Sequence, residues 1–372
     1  MKISGVSLYR VGLPAARTVN ETSVTIPDEV HDSIIVKIET DEGISGLGEI
    51  CTLGTYYMRG SADAAESGVR TLAPSLIGRD PFHVEILNRE WDLSHKDDLY
   101  VKSALDMALW DIMARAAERP LSDLLGGSYE QPGPLYRSIW FPREAVVMPE
   151  DHVAGCLAAR AKGFAHFQLK LGRGARADIA AIEATAAILQ NEETLIADVN
   201  GRWTLSEAIM VGNAVRNLPV IIEQPCRTWE ECIAFRGTCP LPVKLDEVID
   251  TPQDIMRGFQ TGAMDMIAIK IGKVGGPTRA RKLRDLALAL GLTIVPDDIW
   301  GSEIVSSCLL HFAASTDPKQ LLCYTDLTDY VARSTAIGFP KRDRGTILPS
   351  REPGLGLSLN PEIADNPIAV FS

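Results

Sequence analysis

The chain has 372 residues, 46% hydrophobic and 23% charged, proportions of a folded globular protein that exclude disorder and fibrous repeats. Thirty-seven basic residues against 49 acidic ones leave a formal charge of −12. That balance argues against nucleic acid or an anionic membrane as the main partner, because both need a concentrated basic surface.

The opening stretch, MKISGVSLYRVGLP, lacks the continuous apolar segment of a secretion signal. No run approaches the ~18 apolar residues of a membrane-spanning helix. Seven cysteines without a C-x-x-C pair read as reduced thiols. A cytoplasmic protein with no nucleic-acid and no membrane partner is expected.

In chain order, residues 1–130 read as an α+β unit. Residues 34–49 alternate apolar and polar side chains about Asp41-Glu42-Gly43, which predicts a hairpin. Residues 102–118 predict a helix with Leu105, Ala108, Leu109, Ile112, Met113 and Ala116 on one stripe, stopped by Pro120. Residues 18–33 and 51–61 have loop character. From 131 to 349 eight short apolar runs alternate with helix-length spacers: 135–141, 166–172, 194–201, 220–225, 242–247, 266–272, 292–298 and 320–326. This pattern predicts a TIM-like (β/α)7–8 barrel. A doubly wound sheet is the alternative, but the chain has no G-x-G-x-x-G and no phosphate-binding loop. Residues 350–372 include a strand-like piece, PGLGLSLN, expected to return to the N-terminal unit.

Strands of a parallel barrel are nearly all apolar, and their C-terminal ends form one rim. Asp198, Glu223 and Asp246 each end a run, 25 and 23 residues apart, about one β/α unit. Any one of them is easily explained as a helix cap or a solvent-facing acid. Three in phase point instead to a cation that offsets their repulsion, and an all-oxygen set suits Mg²⁺. Lys170 lies 28 residues before Asp198 and Lys270 lies 24 after Asp246, so the two amines flank the carboxylates. Serving as bases near pH 7 would require their pKa values to be depressed from about 10.4. A divalent cation between two opposed amines is suited to removing a proton next to a carboxylate.

These residues resemble the enolase superfamily, in particular its muconate-lactonizing subgroup. The resemblance is carried by GLGE (46–49), SALDMALWDIMAR (103–115), LLGG (124–127), FQLKLG, ADVNGRW, EQP, LDE, IKIGKVGG, PDDIWGSEI and PGLGL (353–357). It implies an α+β capping domain over a TIM-like barrel, Mg²⁺ on Asp198, Glu223 and Asp246, and Lys170 and Lys270 as bases on the S and R faces of the substrate α-carbon. It also implies an even-numbered homo-oligomer. The usual K-x-K of the second strand is here Gln168-x-Lys170, which makes Gln168 a candidate substrate contact. None of the six histidines falls at the sixth or seventh strand end, so chemistry with a histidine base is disfavoured.

Gln168-x-Lys170 together with Asp297-Asp298-Ile299-Trp300 further resembles enzymes of proline derivatives, the cis-3-hydroxy-L-proline dehydratases and the betaine 2-epimerases. That resemblance implies a small amino-acid substrate near Asp298, Ile299 and Trp300, with Trp300 facing a ring or an ammonium group. Tyr56 is expected to close the site, although packing of a lid accounts equally well for Tyr56 and Trp300. Asp326, at the end of the eighth run, is expected to bond a protonated secondary amine. A quaternary nitrogen has no such proton, so this favours a free imino acid and dehydration over epimerisation of a betaine.

Overall fold

The computed structural model describes residues 1–16, 30–54, 57, 60–96, 98–141 and 145–372. The N-terminal part is an antiparallel sheet of β1 (Ile3–Pro14), β2 (Val30–Thr40) and β3 (Ser45–Cys51). The hairpin turn falls where the sequence places it. Thr40 N–H donates to Ile44 O at 3.0 Å, and Gly43 has φ +78°, a conformation that costs glycine nothing. Of the expected loop 18–33, residues 30–33 already belong to β2 and 18–29 lie outside the described residues.

Helix α1 (Leu99–Ala116) lies across this sheet. A Cβ on Gly48 would stand 1.8 Å from Ala104 O, and one on Gly46 2.2 Å from Ala108 O. The two glycines of GLGE therefore let helix and sheet backbones touch. The expected single apolar stripe is too narrow, because α1 is buried on every side from Tyr100 to Ala114. Its second face is taken by the barrel, where Trp110 Nε1 donates to Thr278 Oγ1 at 2.8 Å.

Seven parallel strands form the barrel: β4 (Tyr136–Ile139), β5 (His166–Lys170), β6 (Thr194–Asp198), β7 (Val220–Glu223), β8 (Val243–Leu245), β9 (Met266–Lys270) and β10 (Thr293–Asp297). They pair in sequence order. The eighth run, 320–326, is not a regular strand. It nevertheless joins the first and last, through isolated parallel bridges of Leu135 to Tyr324 and of Ile294 to Leu321. That closure removes the doubly wound alternative.

Helices α2 (Leu205–Ala214), α3 (Trp229–Arg236) and α4 (Pro252–Thr261) follow three successive strands and open with the same device. Thr204, Thr228 and Thr251 each accept from the backbone N–H three residues on, and Glu207, Glu231 and Asp254 return the bond. Such capping boxes fix where each strand-to-helix turn ends. The register at the strand ends sets Lys170 opposite Asp198, Asp198 opposite Glu223, and Lys270 opposite Asp297, while Glu223 stands opposite Lys244, two residues before Asp246.

The N-terminal part is fixed to the barrel by two acids that cap barrel helices from outside. Asp106 of α1 accepts from Thr278 N at 2.8 Å and Thr278 Oγ1 at 2.7 Å, at the start of α5 (Pro277–Ala289). Glu49 of β3 does the same for α6 (Glu303–Ala314), accepting from Ser302 N at 3.0 Å and Val305 N at 3.1 Å. One apolar cluster runs through both parts, and a smaller one of Tyr136, Ile196, Ile221, Val295 and Cys323 fills the barrel interior.

The C-terminal return differs in detail from expectation. Of PGLGLSLN only Ser358–Leu359 is strand, paired with Ala336–Ile337, while Leu355 N–H binds Asp111 Oδ1 at 2.7 Å. β11 (Ala369–Phe371) completes the return by pairing with Val6–Leu8 of β1. All seven cysteines are buried and none is paired in a disulfide. No helix among the described residues is long and apolar enough to cross a membrane.

Candidate active site

The strand ends bring Asp198, Glu223 and Asp246 to one rim, each at most 1% exposed. Asp198 Oδ1 accepts from Asn200 N at 2.9 Å, and its Oδ2 meets Lys170 Nζ. Asn200 turns back in the left-handed region, φ +49°, so that its amide also reaches Glu247 Oε1 at 2.9 Å. Glu223 Oε2 accepts from Gln168 Nε2 at 2.8 Å, while Oε1 lies 2.8 Å from Lys244 Nζ in an ion pair. Asp246 Oδ2 accepts from Lys270 Nζ at 2.5 Å, and its Oδ1 has no hydrogen-bond partner among the described residues.

Burial and like charge dominate the electrostatics. Burial, then the neighbouring Asp198, pushes the Glu223 carboxyl up to about 7. Burial, then Asp246 and Asp198, pushes Glu247 up to about 8. For Asp246 burial acts the same way, but the Lys270 and Lys273 amines outweigh it and hold its carboxyl well below the usual range. With carboxylates as their partners, the two lysines are not depressed. Burial does lower Lys170 and Lys270, but Asp198 and Glu223 overcome it for the first, and Asp246 and Asp297 for the second, so both are raised. The amines are bonded to the very carboxylates that would otherwise face a cation.

Among the described residues, accordingly, no group of three His, Cys, Asp or Glu side chains is gathered round one point as metal ligands would be. The chemistry of the donor set nevertheless fits a hard divalent ion. It is all carboxylate, dry, mutually repelling, and has an orphaned oxygen on Asp246.

The expected substrate contacts fare differently. Tyr56 lies outside the described residues. Gln168 is 1% exposed and spans Ser138 Oγ and Glu223, so it braces a carboxylate and does not open onto the mouth. Asp298 is spent on the backbone, accepting from Gly272 N and Ile299 N at 2.8 Å each, and burial pushes its carboxyl up to about 7. Ile299 is 4% exposed. Trp300 packs between His31 and Tyr330, ring centroids 5.6 and 5.8 Å away. Asp326 must be corrected: Thr328 N takes Oδ1 at 3.0 Å and Arg342 Nη2 takes Oδ2 at 2.5 Å, which leaves no free oxygen for a substrate ammonium.

Three residues at the site were missed. Asp297 binds Lys270 Nζ at 2.9 Å through Oδ2 and Tyr136 OH at 3.0 Å through Oδ1. As the last residue of β10 it faces inward, a period-two argument the sequence already allowed. Lys244 stands two residues before Asp246, as Gln168 stands two before Lys170, and so shares their inward face. Tyr57 has its hydroxyl 3.5 Å from Asp246 Oδ2 and its ring centroid 5.6 Å from Lys270 Nζ. Nothing in the sequence singles it out from its neighbour Tyr56.

The architecture and this rim match known proteins along the whole chain. Residues 152–363 match the enolase C-terminal domain-like model, and residues 15–126 match the N-terminal domain of mandelate racemase/muconate lactonizing enzymes. The chain belongs to that branch of the enolase superfamily and is an enzyme of it. A cis-3-hydroxy-L-proline dehydratase of Roseibium aggregatum is 40% identical, covering 100% of both chains. An N-succinyl-L-Arg/Lys racemase of Bacillus cereus is 29% identical over 97% of this chain and 96% of its own. A mandelate racemase/muconate lactonizing enzyme of Roseovarius nubinhibens, solved in complex with magnesium, superposes with a TM-score of 0.92 at 30% identity over 100% of both chains.

Proposed function

We propose that this chain dehydrates cis-3-hydroxy-L-proline to Δ1-pyrroline-2-carboxylate with a divalent metal, and that Lys170 and Lys270 move the protons. The observation that carries the proposal is the pair of amines at the ends of β5 and β9, on opposite sides of the barrel, with three buried carboxylates on the strands between. The 40% identity to a dehydratase of that substrate over the full chain supports it.

Asp198, Glu223 and Asp246 are the residues that would hold the metal, and Mg²⁺ suits them. Once bound, it would supply fixed positive charge to the substrate carboxylate as the α-proton leaves. Lys170 acts as base toward the α-proton once Asp198 is engaged elsewhere. In the cis isomer the 3-hydroxyl shares a ring face with the carboxylate, so it lies opposite the α-hydrogen. Two amines facing each other match that arrangement: Lys170 removes the α-proton from one side while Lys270 protonates the departing hydroxyl from the other. Water leaves, the ring is left as an enamine, and a proton shift from nitrogen to carbon gives the cyclic imine. Returned instead to the α-carbon, the Lys270 proton inverts the centre, so proline 2-epimerisation accompanies dehydration.

One observation favours a second reading, 2-epimerisation of a betaine or another N-modified amino acid. Asp326 is held by Arg342 and Thr328, so the argument for a free N–H₂⁺ substrate loses its carboxylate. A relative that racemises N-succinyl amino acids supports the same direction. Incubation in D₂O with Mg²⁺ separates the two. Loss of one water from cis-3-hydroxy-L-proline, abolished by EDTA, is expected. Deuterium exchange into betaines without dehydration of any hydroxyproline would overturn the first reading in favour of the second.

A further inference from the structure

Three amines stand against the three carboxylates of the rim, and one differs from the others. Lys170 keeps 32% of its side chain exposed, and Lys270 keeps 4%, with its amine under the Tyr57 ring. Lys244 has no exposed surface. It stands opposite Glu223 in the strand register, with its amine 5.8 Å from the ring centroid of Tyr136, a member of the interior cluster. Glu223 is flanked there on two sides: its Oε1 lies 2.8 Å from Lys244 Nζ, an ion pair in which neither atom has an aligned hydrogen bond among the described residues, and its Oε2 accepts from the neutral amide of Gln168.

We infer that Lys244 is a positioning residue that stays on Glu223 Oε1 when the site fills, leaving one oxygen for a divalent cation and lowering the affinity of the rim for it. The inference rests on the metal reading above. A sealed amine cannot swing into water, and separating it from Glu223 would strand two charges in a dry interior. A positive charge fixed beside Glu223 offsets part of the negative charge that draws a divalent ion to the rim. Without the ammonium, the rim holds the same ion against an excess of negative charge, and more tightly.

The test is calorimetric titration of Mg²⁺ into the EDTA-treated full-length protein, with the melting midpoint read with and without the ion. Lys244→Met is expected to melt lower without metal, gain more from Mg²⁺ than wild type, and bind the ion at least about tenfold more tightly. Gln168→Lys sets a second ammonium against Glu223 without leaving a hole, and should weaken binding by at least about tenfold. Lys244→Arg keeps the charge and should stay within about threefold of wild type. Equal Mg²⁺ affinity in wild type, Lys244→Met and Gln168→Lys overturns the inference, and so does a midpoint loss in Lys244→Met that is the same with and without metal. If Lys244→Met does not fold, Lys244→Gln, which removes the charge and keeps a polar group against Glu223, is titrated in its place; it is expected to bind Mg²⁺ more tightly than wild type, and equal affinity overturns the inference. A wild type that binds no divalent ion overturns the metal reading itself, a separate outcome.

Discussion

Glu49 caps a helix that belongs to the other half of the molecule: its carboxylate accepts the Ser302 backbone N–H at 3.0 Å and the Ser302 hydroxyl at 2.8 Å. It also accepts from Ser33 Oγ at 2.7 Å and Val305 N at 3.1 Å. The side chain is fully buried, and burial raises its pKa despite these donors. Because Ser302 follows the Asp298–Trp300 loop, the same bonds set where that loop stands.

Glu49→Ala leaves several buried donors without an acceptor and should destabilise the protein by about 3 kcal/mol. Urea unfolding would check this. A loss below about 1 kcal/mol would mean the cap does not hold the two halves together.

Lys170→Ala and Lys270→Ala should differ in kind. On the proposed roles, the first removes the base for an L-substrate and should cut α-deuterium exchange by about 10²–10⁴-fold. The second should keep that exchange while losing water elimination. Proton NMR in D₂O reads both, and equal loss of exchange in the two variants would contradict the assigned roles.

Tyr57 contributes mainly its ring face. Its hydroxyl is 3.5 Å from Asp246, a marginal hydrogen bond, whereas the ring covers the Lys270 amine. Tyr57→Phe should leave kcat/KM within about threefold, and Tyr57→Ala should lower it by about tenfold. A large loss in the Phe variant would give the hydroxyl the role instead.

Burial lowers the pKa of His311 from 6.5 to about 4, its Nδ1 accepting from Ser122 N–H at 3.3 Å. Such a depressed histidine lends stability that is complete above pH 6.5 and is lost as pH falls toward 4, where the unfolded chain takes up a proton the folded one refuses. Buried acids titrate in the same range with opposite sign, Asp106 being pushed up to about 6 by burial. The measurement is therefore a difference. The stability advantage of wild type over His311→Gln should be about 2 kcal/mol smaller at pH 5 than at pH 7. An advantage unchanged with pH would show that His311 titrates normally.

The spacing of Asp198, Glu223, Asp246, Lys170 and Lys270 was legible because each ends a short apolar run, and one β/α unit recurs between them. What the sequence concealed is which atoms are already occupied. Asp326 reads as an available carboxylate until Arg342, distant in the chain, folds onto it. Asp298 precedes Trp300 on a loop that reads as a ligand contact in the sequence, yet both its oxygens hold backbone turns. The narrow stripe read on α1 failed for a related reason: periodicity detects one partner, and this helix is sandwiched between two. The three Thr-x-x-Glu or Thr-x-x-Asp caps were visible in the sequence and mark where the helices after β6, β7 and β8 begin.

The seam of the barrel offers a route for change. Segment 320–326 is sewn to its neighbours by two isolated bridges, and its outer end is held by side chains, Arg342 on Asp326 and on Asp329. A substitution at any of these anchors retunes one quadrant of the mouth without unravelling a ladder of backbone bonds. Variation in this quadrant is thereby uncoupled from the carboxylates and amines at the ends of β5 to β9 across the ring.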